Sequence, residues 1–158
     1  MADQTKHIGI LLFDDVEELD ALGPWEVLAY WTHNYPDDGY AVTTLSRSGG
    51  PVRCAKGLAV QADHGYGDVP PLEVLVHPGG AGTRPQLHDD THLDWVRAAR
   101  DQVAVMTSVC TGSLVYAAAG LLPSAPRPRT GTRWTGSLSS TRPSTCNPSS
   151  ASSTTATR

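Results

Sequence analysis

Short, densely apolar runs alternate along the chain with stretches whose apolar residues recur at helical spacing. Residues 7–13 (HIGILLF) are almost unbroken apolar, the pattern of a strand covered on both faces and therefore of a parallel sheet between helix layers. Residues 40–46 (YAVTTLS), 73–77 (EVLVH) and 103–106 (VAVM) read as further strands. After the first strand, Gly23 and Pro24 are expected to open a helix, Gly at the cap and Pro at the first helical position, with Trp25, Val27, Leu28 and Trp31 as its apolar face. Residues 52–54 and 58–61, either side of Lys56-Gly57, predict a short excursion of edge strands. Asp90 is expected to cap a helix over 91–100 whose Leu93, Val96 and Ala99 face the core. Residues 111–119 are small, apolar and free of breakers after Gly112, and read as a last helix. The order strand, helix, strand, hairpin, strand, helix, strand, helix predicts an α/β fold with a doubly wound parallel sheet.

Between the strand at 103–106 and the helix at 111–119 there is no room for a loop, and Cys110 sits at the junction. A strand that turns straight into a helix exposes the residue at the turn beside the free N–H groups of the helix start. The positive end of the helix dipole favours a thiolate there. A buried structural cysteine is the alternative reading. Placement at an elbow among Thr107, Ser108, Thr111 and Gly112 favours the nucleophile.

Two other segments fall at strand ends, where open α/β sheets place their sites. Residues 14–20 (DDVEELD) are acidic; most of them read as a solvated loop, but Asp20 has Leu19, Ala21 and Leu22 around it, a setting in which carboxyl groups hold protons more tightly. Pro78-Gly79-Gly80 follows the strand at 73–77, and its glycines can turn backbone N–H groups outward to hold an oxyanion. Read alone, that segment is equally a plain glycine turn, and it does not meet the G-x-G-x-x-G spacing. His77 beside it is a candidate site residue or a buried structural histidine. His88-Asp89-Asp90-Thr91-His92 matches no zinc or iron spacing, so no metal is expected.

Three cysteines, Cys54, Cys110 and Cys146, at wide spacing argue against a disulfide framework and for a reducing, cytoplasmic setting. Cys54 has no motif around it and reads as inert. No apolar run is long enough to span a bilayer. The formal net charge of −4 is unevenly distributed: all sixteen carboxylates precede residue 123, while Arg127, Arg129, Arg133, Arg142 and Arg158 follow it. The first 122 residues are thus an acidic body that repels nucleic acid.

Taken together, EELDALGPWEVL, VHPGGAGTRP and TSVCTGSLVYAAAGLL resemble the ThiJ/PfpI family, a branch of the class I glutamine amidotransferase-like superfamily, over residues 7–122. The SVCTG elbow with Asp20 in an ELD context is most similar to the isonitrile hydratase branch. The elbow also resembles the sensor domain of some AraC-type transcription regulators. The resemblance implies a flavodoxin-like three-layer fold, Cys110 as nucleophile, Asp20 as the acid facing its sulfur, and Thr111 beside them. It places the Gly79 and Gly80 amides, with Thr111, near the reacting atom. It further implies attack of the thiolate on the terminal carbon of an isonitrile R–N≡C, proton transfer and water direction by the carboxyl group, and release of an N-substituted formamide. Such chemistry needs a soft nucleophile, one tunable acid and a small apolar pocket, for which Leu22, Trp25, Val109 and His77 are the candidate walls. No cofactor is implied, the partner is a small-molecule substrate, and the family suggests a homodimer. A deglycase or small-carbonyl hydratase would use the same pair. A sensor domain without turnover and an inactive truncated product are the other readings.

The resemblance ends at Leu122, where family members continue with a Thr-Thr-His-Trp segment and the elements that complete the sheet. Residues 123–158 are rich in Ser, Thr, Pro and Arg, with no Val, Ile, Phe, Asp, Glu or Lys, and are expected to be disordered. GC-rich codons for residues 132–157, read in another frame, can encode AVDWLAELDPSVDVQPELRFVDDGDT, which has helical and then strand periodicity. A frameshift near residues 122–124 is therefore expected, and codons in the gene that cannot yield that string would remove the idea. With the domain 1–122 incomplete at its C-terminal end, poor solubility and little activity are expected of the chain. A cooperative thermal transition with a protected core in hydrogen exchange would contradict this.

Overall fold

The computed structural model describes residues 5–122. In chain order these form β1 (Lys6–Leu11), α1 (Glu18–Asn34), a single 3-10 turn (Pro36–Asp38), β2 (Tyr40–Leu45), β3 (Pro51–Arg53), β4 (Ala59–Gln61), β5 (Leu72–His77), α2 (Thr83–Gln86), α3 (Asp90–Arg100), β6 (Val105–Ser108) and α4 (Gly112–Ala118). Four strands make one parallel sheet in the order β2-β1-β5-β6, and β3 and β4 pair as a separate antiparallel hairpin. The chain grows outward from β1 to β2, then returns across β1 to β5 and β6, so the sheet is doubly wound as expected.

Side chains on β1 alternate between two apolar layers. Ile8, Ile10 and Leu12 join Val16, Ala21, Val52, Cys54, Ala62 and Val76 under α1 and the β3–β4 hairpin. Leu11 turns the other way and packs with Leu45, Leu75 and Val103, against Trp95 and Ala99 of α3. Both faces are apolar, which is why residues 7–13 carry no polar alternation. A third cluster, Leu93, Val96, Val115, Tyr116 and Ala119, joins α3 to α4.

The largest departure from expectation is α1. It begins at Glu18, with Glu17 as its N-cap, so Gly23 and Pro24 lie inside the helix. Glu18 and Asp20 in the first turn complement the positive helix end, which favours an early start. Pro24 removes only the one N–H that would have bonded to the Asp20 carbonyl. The helix face is thereby set differently: Ala21, Leu28 and Trp31 pack on the sheet, while Val27 is 69% exposed and Trp25 is at the surface. Asp89, not Asp90, caps α3, its carboxylate accepting the His92 N–H. β6 lies two residues later than expected and runs up to the elbow. The one-turn α2 and the 3-10 turn have too few residues for a periodic signal.

Among the described residues β6 is an edge strand whose residues alternate between exposed and half-buried, with Val105 50% exposed; Leu114 and Leu122 are also at the surface. The expectations for residues 123–158 lie outside the described residues. Among the described residues, no helix is long and apolar enough to cross a membrane.

Beneath α3 the core holds two histidines. His77 and His92 are fully buried, their Nε2 atoms 3.3 Å apart. Burial lowers the His77 pKa to about 4. Burial, then His77 and Arg47, lower that of His92 to about 4 as well. In the unfolded chain both rings take protons near pH 6.5, so between about 6.5 and 4 the unfolded state binds more protons and stability falls as pH falls. Above pH 6.5 these rings contribute no pH dependence. Each ring accounts for up to about 3 kcal/mol across that window. The thermal midpoint is expected to drop steadily as pH is lowered from 6.5 to 4, and less steeply in His92→Gln; a midpoint that is flat through the window would count against the two neutral rings.

Candidate active site

Only Val109, Cys110 and Thr111 separate β6 from α4. The Val109 N–H donates to the His77 carbonyl and the Gly112 N–H to the Val109 carbonyl, both at 3.0 Å. This tight turn puts Cys110 at φ 52°, the left-handed region that costs a non-glycine residue about 1–2 kcal/mol. Its side chain is left exposed. The elbow lies hard against the end of β5: a Cβ on Gly112 would collide with the His77 carbonyl oxygen and lie 2.7 Å from that of Pro78. Glycine is needed there for close approach, not for its φ.

Gly79 is where the distant segments meet. A Cβ built on it would lie 2.7 Å from Asp20 Oδ2, 2.7 Å from the Thr111 nitrogen and 2.8 Å from Cys110 Cβ. The carboxylate from the first turn of α1 and the elbow cysteine therefore flank one glycine. The Gly79 carbonyl accepts the Glu17 N–H at 2.9 Å, which ties the start of α1 to this point. Asp20 Oδ2 is buried without a hydrogen-bond partner among the described residues. A buried acceptor in that state is stabilised by any donor that reaches it.

Gly80 is a correction. Its N–H donates to Thr111 Oγ1 at 3.0 Å and so is not available to a reacting atom. Thr83 Oγ1 lies 2.8 Å from the Gly80 carbonyl and 3.1 Å from Thr111 Oγ1, so the Thr111 hydroxyl belongs to a knot that holds the glycine turn to the elbow. The backbone N–H groups of Gly79 and Thr111 make no hydrogen bond within the described residues and are the free donors beside Cys110. Thr83 carried no sequence signal, because its role comes only from the fold of the turn around it.

The expected pocket walls do not gather at this point. At about 100° per residue, Leu22 and Trp25 fall roughly 160° and 140° around α1 from Asp20, a result of the helix beginning at Glu18. Val109 packs against the Ile8–Ile10 core cluster. The His77 ring lies in the layer under α3, with Nδ1 2.9 Å from the Pro78 carbonyl oxygen and Nε2 on His92, so it lines no open site. The acidic stretch also divides. Glu17 pairs with Lys56, Glu18 Oε1 accepts the Lys56 N–H, Asp14 accepts the Arg53 N–H, and Asp20 alone reaches the elbow. Cys54 is buried, and burial with Glu18 and Asp14 nearby pushes its thiol pKa up. Among the described residues, no three His, Cys, Asp or Glu side chains gather as a metal site.

The DJ-1/PfpI family model matches residues 6–135, reaching past Leu122. Isonitrile hydratase of Pseudomonas putida is 42% identical over 116 residues, which are 73% of this chain and 48% of that protein. The HTH-type transcriptional regulator GbdR of Pseudomonas aeruginosa is 30% identical over 117 residues, 74% of this chain and 32% of the regulator. The chain thus spans about half of the hydratase and a third of the regulator. Among solved structures, a ThiJ/PfpI family protein from Pseudomonas syringae superposes with a TM-score of 0.62 at 30% identity, covering 74% of this chain and 47% of that one. An AraC family transcriptional regulator from Pseudomonas putida shares the fold, with a TM-score of 0.57 at 22% identity over 74% of this chain and 62% of that one. With an α/β parallel sheet, an elbow cysteine and a family match over most of its length, the chain belongs to the DJ-1/PfpI family.

Proposed function

We propose that the protein is a cysteine-dependent hydratase that converts a small isonitrile to an N-substituted formamide through Cys110 and Asp20. The observation that carries this reading is the unpartnered, buried Asp20 Oδ2 beside the same glycine that Cys110 flanks. The similarity to isonitrile hydratase supports the choice of substrate.

In the reaction, Cys110 sulfur and a proton delivered by the Asp20 carboxyl group add to the terminal carbon of R–N≡C. New C–S and C–H bonds give Cys–S–CH=N–R. Water then adds to the C=N bond: its oxygen bonds the carbon, and Asp20 takes a water proton and passes it to the nitrogen. This forms Cys–S–CH(OH)–NH–R, whose hydroxyl proton goes to the sulfur as the C–S bond breaks. The Gly79 and Thr111 N–H groups hold the water-derived oxygen. Cleavage of the C–S bond returns the thiol and releases R–NH–CHO, so atoms balance and nothing is oxidised or reduced. Thr111 acts here through its backbone, while its hydroxyl keeps the elbow on Gly80. The homodimer suggested by the family would cover Leu19, Val27 and Tyr30, which are exposed along α1.

Incubation with a simple alkyl isonitrile is expected to yield the matching formamide, detected by mass spectrometry. Cys110→Ala and Asp20→Ala are each expected to lower kcat by ~10³-fold or more while circular dichroism is unchanged. Formamide production that survives in Cys110→Ala would refute the mechanism. Tight binding of a small ligand without turnover would favour a sensor domain, the role suggested by the regulator similarity.

A further inference from the structure

The buried histidines lie in a hydrogen-bond chain that ends on the backbone of the candidate active site. Tyr66 Oη is 2.9 Å from His92 Nδ1, His92 Nε2 is 3.3 Å from His77 Nε2, and His77 Nδ1 is 2.9 Å from the Pro78 carbonyl oxygen. The carbonyl only accepts, so His77 Nδ1 carries a hydrogen. A neutral His77 then presents a lone pair at Nε2, and His92 Nε2 must supply the hydrogen between the rings. His92 Nδ1 is left as an acceptor, which the Tyr66 hydroxyl fills. With both rings neutral above about pH 4, one direction of donation satisfies every member. The reverse direction would set two lone pairs against each other at Pro78.

Pro78 O and the Gly79 N–H belong to one peptide unit, and no cis peptide bond occurs among the described residues. In a trans peptide both lie in one plane and point in opposite directions, on opposite sides of the C–N bond. Whatever holds the carbonyl toward the core holds the N–H away from it. We propose that Tyr66, His92 and His77 are positioning residues: their one-way chain fixes the orientation of the Pro78–Gly79 peptide and so aims the Gly79 N–H as a donor at the reacting centre beside Cys110. The catalytic consequence rests on the hydratase reading; the orientation itself does not.

The same geometry singles out an informative substitution. Gln at position 92 keeps an N–H for His77 and a carbonyl oxygen for Tyr66, whereas Leu at 92 keeps neither. In the full chain with ¹⁵N-labelled histidine, long-range ¹H–¹⁵N spectra at pH 7 are expected to show His77 protonated at Nδ1 and His92 at Nε2. His92→Leu and Tyr66→Phe are expected to shift the Gly79 amide resonance, and His92→Gln to leave it near its original position. On an alkyl isonitrile, His92→Leu should lower kcat about tenfold with KM unchanged, and His92→Gln should restore it; a loss of packing alone would lower the thermal midpoint without that split. The opposite ring tautomers, or a Gly79 amide unmoved in both Leu and Phe variants, would overturn the proposal. The tautomers are read on the unsubstituted protein, so they decide the matter even where a variant does not fold. Absence of turnover combined with the expected tautomers would count against the hydratase reading and not against this one.

Discussion

Gly112 and the carbonyls of His77 and Pro78 leave no space between them for a side chain. That contact joins the end of β5 to the start of α4, and the rest of the site follows from it. With α4 pressed so closely on β5, the chain leaving β6 must turn within three residues, and Cys110 takes the left-handed conformation. Hydrogen bonds from Val109 and Gly112, each worth about 1 kcal/mol net, are of the size needed to offset that strain. The Gly80–Thr111–Thr83 knot then fixes the glycine turn to the elbow. Strained nucleophile and free amides are two results of one packing decision.

The acid arrives by a separate route. α1 begins six residues earlier than its Gly-Pro pair suggests, which places Asp20 in the first turn, where a carboxylate complements the helix end. The Glu17 N–H on the Gly79 carbonyl anchors that turn. The neighbouring acids Asp14, Glu17 and Glu18 bind the β3–β4 hairpin through Arg53 and Lys56. A run of acidic residues that looks uniform therefore holds three anchors to the hairpin and one carboxylate, Asp20, that reaches the elbow instead.

Much of this was legible in the chain, because it rests on local patterns. The unbroken apolar run of β1, the strand-to-helix junction at Cys110 and the strand-end glycines each report a backbone environment that a single segment can encode. What was hidden depends on rotation and on contacts distant in sequence. Leu22 and Trp25 were expected beside Asp20, but a helix start moved by six residues turns both to another side. The Gly80 amide was expected to be free, and only the fold brings Thr111 Oγ1 to it. His77 looked like a site neighbour because it precedes the glycines, yet strand alternation sends its ring into the opposite layer with Leu75.

The left-handed residue at position 110 lies two residues beyond β6, which among the described residues is an edge strand with alternate side chains exposed. Strain is released first where the surroundings hold it least firmly. Cys110 lies outside both β6 and α4, so its relaxation into ordinary backbone can leave those elements in place, yet it re-aims the side chain away from Gly79, the glycine it shares with Asp20. In this molecule, retention of secondary structure is therefore no guarantee of competence: chemical readiness and folded content are separable quantities, and the first is the more fragile.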